Sequence, residues 1–362
     1  MRYKDFKQPL TEAFKGREYN HLEDLVTVKG SKGALEAADI LDGMGSDSGD
    51  VAIKWDGNPT FYWGREPDGT FVCVGKNGWG RQKSKTSDDL SKFILGTGKG
   101  EDWRKDFAGD MASVFELMKS ATPPNFRGYA YGDLLYTPRK PYNSTDDAVE
   151  FTPNKVKYTV TKKSELGQRI AASQVGVVAH TTYDSFGSKD STPIKDVTSF
   201  NNGDVVVLGQ TYVTHQPKVD TKQTDAIRKK ASAGAQVIDN FLAGTKGLSS
   251  PANIIYTYVN HMTRTQQLKN IESGFFDWVA TSKLSKGQQA TLASMNEANP
   301  KGLPAILGLI KTIMIAKDNI IDQLDSADAD VKATTGGERG GEGYVAQKSK
   351  IKLVPRTRWQ PN

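Results

Sequence analysis

Residues 342–354 read EGYVAQKSKIKLV, a β-patterned segment that follows a long helical block. A lone β segment leaves its backbone N–H and C=O groups without partners, so it has to join a sheet built elsewhere in the chain. The other β-patterned runs lie upstream of Pro217, and the simplest architecture returns the tail to that sheet. The helical block is then an insertion. The expected division is a first core segment at 1–217, a helical insertion subdomain at 218–333, and C-terminal strands at 334–362 that complete the core.

Local patterns fill in this outline as a mixed α+β chain. ALEAADILDGM (34–44) has helical apolar spacing, and TFYWGREPDGTFVCVGK (60–76) reads as two strands around an Asp68-Gly69 turn. Helices are expected near 87–95 and 107–119, and further strands at 129–136, 155–161, 175–183 and 204–213. Within 222–330, Ile227, Ala231, Ala235, Ile238 and Leu242 form one helical stripe, and residues 304–324 are apolar enough for a central bundle helix. TTGGERGG (334–341) reads as a mobile hinge, because glycine is conformationally permissive.

Composition narrows the class. The chain is 37% hydrophobic and 25% charged, ordinary for a soluble globular protein. No apolar run approaches the roughly 18 residues of a membrane span, and MRYKDFKQPL lacks the apolar core of a secretory signal. These features predict a cytoplasmic protein without a membrane partner. The single cysteine, Cys73, excludes an intrachain disulfide and a multi-cysteine zinc site, and the four histidines show no close metal-ligand spacing. A net charge of +6 permits a polyanionic partner without requiring one.

The charged residues at strand ends carry the chemistry. VAIKWDG (51–57) delivers Lys54, Asp56 and Gly57 from an apolar run; GKNGWG (75–80) places Lys76 at a glycine turn; YGDLLY (131–136) holds Asp133 among apolar neighbours. In KSKIKLV, Lys350 and Lys352 fall on one strand face and Ile351 and Leu353 on the other, while Glu342, Tyr344 and Ala346 share a face. Lysines and acids converging on one cleft suit a nucleoside triphosphate, cations for phosphates and carboxylates for ribose or a divalent metal. Arg81, Lys83 and Lys85, and Lys155 and Lys157, could follow a nucleic acid backbone, or could equally be solvated surface charge. Trp55 and Trp63 read as packing residues, and His21 as a locally packed one.

The order K-x-D-G, K-N-G, G-D-L, E-G-Y-V-A, K-I-K resembles the covalent nucleotidyltransferase superfamily of ATP-dependent polynucleotide ligases and mRNA-capping enzymes, and phage-type RNA ligases above all. The resemblance covers roughly residues 50–215 and 340–354. It implies an adenylation-domain fold of antiparallel sheets flanked by helices, ATP with Mg2+ or Mn2+, and Lys54 as the nucleophile that becomes a lysyl-adenylate. Asp56 and Gly57 would lie against the nucleotide, and Lys76 would contact it or the nucleic acid end, together with Arg81, Lys83 and Lys85. Asp133 would bind ribose or metal, and Glu342 metal. Lys350 and Lys352 would hold the α-phosphate. His180 stands where the family stacks an aromatic on the base; Phe151 or Tyr183 could serve instead.

Two departures bear on the acceptor. Nothing after Lys352 corresponds to the OB-fold of DNA ligases and capping enzymes, which points to an RNA ligase acting on 5′-phosphate and 3′-hydroxyl ends, in a host cytoplasm if phage-encoded. Asn58-Pro59 also replaces the basic or hydroxyl residue usual after the lysine motif. The alternatives are a DNA ligase lacking the OB-fold, a nucleotidyltransferase for another acceptor, and a catalytically silent nucleic-acid-binding protein.

Overall fold

A computed structural model describes residues 20–46, 50–96, 102–213, 215–244, 251–327, 329–339 and 341–357. The N-terminal stretch read above for a secretory signal lies outside these residues. The chain forms two compact units. One comprises residues 1–53, 212–327 and 343–362, and the other 54–211 and 328–342.

The first unit is mainly helical. Ala34, Ala37, Ala38 and Leu41, at the i, i+3, i+4, i+7 spacing of one helix face, are fully buried on the helix Ser31–Ser46. They share a core with Ile227, Ala231 and Ile238 of Thr221–Ala243 and with Ile306, Leu307, Ile310, Ile313 and Ile321 of Gly302–Ser326. The helical block therefore packs with residues from the start of the chain, and the compact units do not follow the expected boundaries at 217 and 333. Small alanines explain the pairing, since they let helix axes approach closely. Beside the helices lies a four-stranded sheet in the order Asn20–His21, Ile351–Leu353, Tyr344–Ala346, Val51–Ile53. The C-terminal β segment does find a sheet: Tyr344, Val345 and Ala346 pair antiparallel with Ile53, Ala52 and Val51.

The second unit holds two sheets. Five strands run Thr192–Pro193, Val175–Tyr183, Gly128–Tyr136, Thr60–Arg65, Phe71–Gly75, with Val205–Leu208 added parallel to Val175–Tyr183. One face of this sheet, through Phe61, Trp63, Phe71 and Cys73, packs on Met111, Val114, Phe115 and Met118 of the helix Asp102–Ala121 and on Leu90 and Ile94 of Ser87–Gly96. The strand expected at 204–213 is thus confined to four residues. A second sheet runs Glu338–Arg339, Val331–Thr335, Val156–Thr161, Ala148–Phe151, Asn143–Ser144. Here the structure corrects the hinge expected at 334–341. Val331–Thr335 pairs with Val156–Thr161, and Gly336 and Gly337, at φ of 63° and 88°, form the turn of a hairpin back to Glu338–Arg339. Left-handed backbone is what those glycines supply.

The first unit also buries an ionic network. Lys317, fully buried in the middle of Gly302–Ser326, donates to Glu23 Oε2 at 2.8 Å. Arg356 reaches Glu23 Oε1 and Asp24 Oδ1, both at 3.1 Å, and Asn260 Oδ1 at 2.7 Å. Burial alone would push the Glu23 carboxyl up, but Lys317, Arg356 and His21 outweigh it and hold it down at about 2. Burial pushes Asp24 up to about 6, with Arg356 opposing and the Glu23 charge adding. Burial, with Arg356 adding, holds the His21 imidazole well below its ordinary value. Removing one partner of such a network leaves an uncompensated buried charge. Lys317→Met should destabilise the protein by about 3–5 kcal/mol, read as a lower urea midpoint at unchanged m, and adding Glu23→Gln should recover part of that loss.

Candidate active site

The site is built from the loop that begins at Lys54. Trp55 turns into an aromatic box, 4.6 Å from the Tyr158 ring and 6.2 Å from Phe151, with its indole N–H donated to Thr211 Oγ1 at 3.1 Å. Tyr158 is fully buried, and its hydroxyl accepts from the Asp56 amide at 2.7 Å and donates to the Lys54 carbonyl at 3.4 Å. One tyrosine thus holds the backbone on both sides of Trp55. Beyond it the loop lies on the strand Gly128–Tyr136: Asn58 N–H donates to the Leu134 carbonyl at 2.9 Å, and Leu134 N–H to the Pro59 carbonyl at 3.0 Å. Gly57 is required for that approach, because a Cβ there would stand 2.5 Å from Leu134 O and 2.6 Å from Asp133 Cβ.

With Trp55 anchored inward, its neighbours Lys54 and Asp56 stay partly exposed. Lys54 Nζ lies 2.8 Å from Glu342 Oε2, with side chains 23% and 27% exposed. Asp56 Oδ2 accepts from Asn154 Nδ2 at 2.8 Å. Burial raises the Asp56 carboxyl above its ordinary value, the Glu342 charge raises it further, and Asp133 adds to this, against the Asn154 hydrogen bond and Lys54. Asp133 also faces His180, Oδ2 to Nε2 at 3.1 Å. His180 sits at a register shift between Val175–Tyr183 and Gly128–Tyr136, so its ring comes to the face that carries Asp133.

Five of the expected residues, Lys54, Asp56, Glu342, Asp133 and His180, are linked in this way, and Gly57 supports them. The others lie elsewhere. Lys76 is exposed in a short turn, Lys76–Gly78, and lines a separate cavity of about 360 Å³ with Asn58, Asn77 and Arg104. Arg81 and Lys85 are exposed, whereas Lys83 pairs with Glu66 at 2.8 Å. Lys157 pairs with Glu150 at 2.8 Å, and Lys155 is exposed. Lys350 and Lys352 belong to the first unit. Lys350 precedes the strand Ile351–Leu353 with a φ of 55°, so the two lysines are not successive members of one strand face. Phe151 packs behind Trp55, away from any stacking role. Tyr183 joins an aromatic group with Tyr62 and Trp79, the last two stacked at 3.9 Å. Tyr158 and Asn154 were not foreseen; the alternation in KVKYTVT marks Tyr158 as inward-facing, but nothing in the pattern marks Asn154.

Among the described residues, no group of three or more His, Cys, Asp or Glu side chains is arranged to hold a metal ion by itself. Nucleotide-bound Mg2+ needs less, commonly one or two carboxylates with phosphate oxygens completing its shell. Among the described residues no helix is long and apolar enough to cross a membrane.

A family model, DUF6267, described as a family of unknown function, matches residues 18–360. The chain belongs to that family. No curated protein and no solved structure matches it.

Two outcomes follow from the geometry. A carboxyl whose folded pKa is raised costs stability once deprotonated, and the cost disappears below its unfolded value. Asp56→Asn, which keeps an acceptor for Asn154, should therefore raise Tm at pH 7, with the gain vanishing by about pH 3–4 in differential scanning fluorimetry. Gly57→Ala should lower Tm by an amount equivalent to about 1–3 kcal/mol, the usual cost of overpacking against backbone.

Proposed function

We propose that the protein is an ATP-dependent polynucleotide ligase, with RNA ahead of DNA as acceptor, working through a lysyl-adenylate on Lys54. In this reading the second unit is a nucleotidyltransferase adenylation domain. The observation that carries the proposal is the meeting of Lys54 and Glu342, 288 residues apart in sequence, at 2.8 Å beside Asp56. A lysine held by a carboxylate inside a carboxylate-lined cleft is the arrangement that the motif order implies for this chemistry.

The steps follow from the positions. Lys54 Nζ attacks the α-phosphorus of ATP, the Nζ–P bond forms, the bond to the bridging oxygen breaks, and pyrophosphate leaves. Glu342, already within hydrogen-bond reach of Nζ, is placed to take the ammonium proton that has to be lost first. An acceptor 5′-phosphate oxygen then attacks the same phosphorus and returns Lys54 as the leaving amine. Finally the 3′-hydroxyl attacks the 5′-phosphorus, forming the phosphodiester and expelling AMP. Asp133, oriented by His180, would take a ribose hydroxyl or, with Glu342, would hold a Mg2+ or Mn2+ ion. When bound, that ion supplies neutralisation of phosphate charge.

Incubation with α-labelled ATP and Mg2+ tests the proposal. The protein should acquire an AMP label with the stability of a phosphoramidate, kept in alkali and lost in acid, and Lys54→Ala should abolish it. Chasing the label with nicked RNA, nicked DNA and single-stranded RNA identifies the acceptor. No label, or an equal label on Lys54→Ala, sinks covalent catalysis and leaves a silent binding protein as the surviving reading.

A further inference from the structure

Two concave surfaces adjoin along the helix Ser87–Gly96. The first is the cavity of about 360 Å³ whose mouth carries Lys76, Asn77, Asn58 and Arg104 and whose apolar wall includes Phe93 and Phe107. The second, about 670 Å³, is lined by Gln82, Lys83, Lys85, Asp89, Lys92 and Phe93. Phe93 lines both, so the two surfaces meet at that residue.

The charge along this track is one-sided. Among the described residues no carboxylate lines the first cavity. Among the described residues the second has one carboxylate, Asp89, which is committed to the start of its own helix, accepting from the Thr86 amide at 3.1 Å and the Lys85 amide at 3.3 Å. Lys83 is committed to Glu66 and lies 4.6 Å from the Phe186 ring centroid. Lys76, Lys85 and Lys92 are exposed, and Arg104 is half-buried. Arg104 and Phe107, three apart on the helix Asp102–Ala121, fall on the same side of it. A planar cation and half-buried phenylalanine rings at one mouth match a phosphate joined to an aromatic base. A mononucleotide would satisfy that mouth but leave Lys85 and Lys92 with no phosphate to meet. A strand satisfies both. The cavity wall also includes Asn58 and Pro59, on the loop that carries Lys54.

We infer that this track receives the 5′-phosphorylated end of a single-stranded acceptor. The terminal phosphate meets Lys76 and Arg104, the terminal base lies against Phe93 and Phe107, and the following backbone passes Lys85 and Lys92. The assignment rests on the ligase reading for its substrate class and adds Arg104, Phe93, Phe107 and Lys92 to the residues that reading uses.

Binding alone tests it, without ATP or metal. A short RNA labelled at its 3′ end is titrated with the full chain by fluorescence anisotropy, with either a 5′-phosphate or a 5′-hydroxyl, over a series of salt concentrations. The wild type should prefer the 5′-phosphate by about tenfold, as a charge-assisted hydrogen-bond pair would give. Arg104→Gln should erase that preference. Lys85→Gln combined with Lys92→Gln should keep it while reducing the slope of log Kobs against log salt by about 1.4, two single-strand phosphate contacts. Phe107→Leu should weaken both RNAs alike by about tenfold. Circular dichroism establishes that each variant is folded. Equal affinity of the wild type for the two ends overturns the assignment, as does a preference that survives in folded Arg104→Gln. Free AMP competing as well as the phosphorylated strand also overturns it, since that marks a mononucleotide pocket. The two proposals fail separately. Absence of AMP labelling with the phosphate preference intact removes the ligase and leaves the strand track; labelling without the preference does the reverse.

Discussion

The antiparallel pairing of Val51–Ile53 with Tyr344–Ala346 is the constraint from which the candidate site follows. Closing a loop of about 290 residues costs roughly 5 kcal/mol in chain entropy beyond a constant. That cost is offset only if the strands bury something, and Tyr344, Val345 and Ala346 are all buried, as are Val51 and Ala52. Because the pairing is antiparallel with Ile53 opposite Tyr344, the next residues along one strand and the preceding residues of the other run out from the same end of the ladder. Lys54 and Glu342 are those residues. Their ion pair is a consequence of register, and a one-residue slip would separate them.

The chain handles buried charge in two contrasting ways. In the first unit Glu23 accepts from both Lys317 and Arg356, and the cations outweigh the burial that would otherwise raise its pKa. In the second unit Lys54 directly contacts only Glu342 among the three neighbouring carboxylates, and the Asp56 carboxyl is left raised by burial and like charge. Asp24 beside Glu23 is nevertheless left raised by burial and by the Glu23 charge, so the network holds down one carboxyl and not the other. Sites that bind or transform charged ligands tend to keep an imbalance that the ligand resolves. Asp56→Asn is expected to stabilise because it removes a carboxyl that burial and like charge hold raised, whereas a change at Lys317 removes a cation that holds Glu23 down.

Much of this organisation was legible in the residues. β-like apolar runs, with the Asp68-Gly69 turn between the first two, located Thr60–Arg65, Phe71–Gly75, Gly128–Tyr136 and Val175–Tyr183, because most positions of those strands are buried on both faces of the sheet. The order of K-x-D-G, G-D-L and E-G-Y-V-A brought Lys54, Asp133 and Glu342 to notice together. Three features were not legible, each for a physical reason. The glycine pair at 336–337 has the composition of a hinge, and only pairing with Val156–Thr161 makes its flank a strand. The alanine face of Ser31–Ser46 announces burial without naming its partner, so the helical block looked self-contained. Lys317 falls on the apolar stripe of its helix, four residues after Ile313 and four before Ile321, but a lysine reads as a surface residue by its charge, and only its tertiary partner Glu23 makes its full burial intelligible.

The open face of the large sheet in the second unit explains why its cluster sits at one end. Thr60 is paired with Asp133, Tyr62 with Tyr131 and Gly64 with Tyr129, so these residues share a face. Toward the Tyr129 end that face is covered by aromatic packing: Trp79 stacks on Tyr62 and meets Tyr129, Tyr183 and Phe186. Close approach of Gly80 to Gly187 lets the two loops that carry these rings meet over the sheet. The aromatic cover gives way at Tyr131, 6.0 Å from His180, and the next outward residue is Asp133. A face sealed by rings at one end and left polar at the other holds the Asp133–His180 pair on rigid strands while leaving it partly accessible. Preorganisation of this kind is what positions a charged group for a ligand without a cost at the moment of binding.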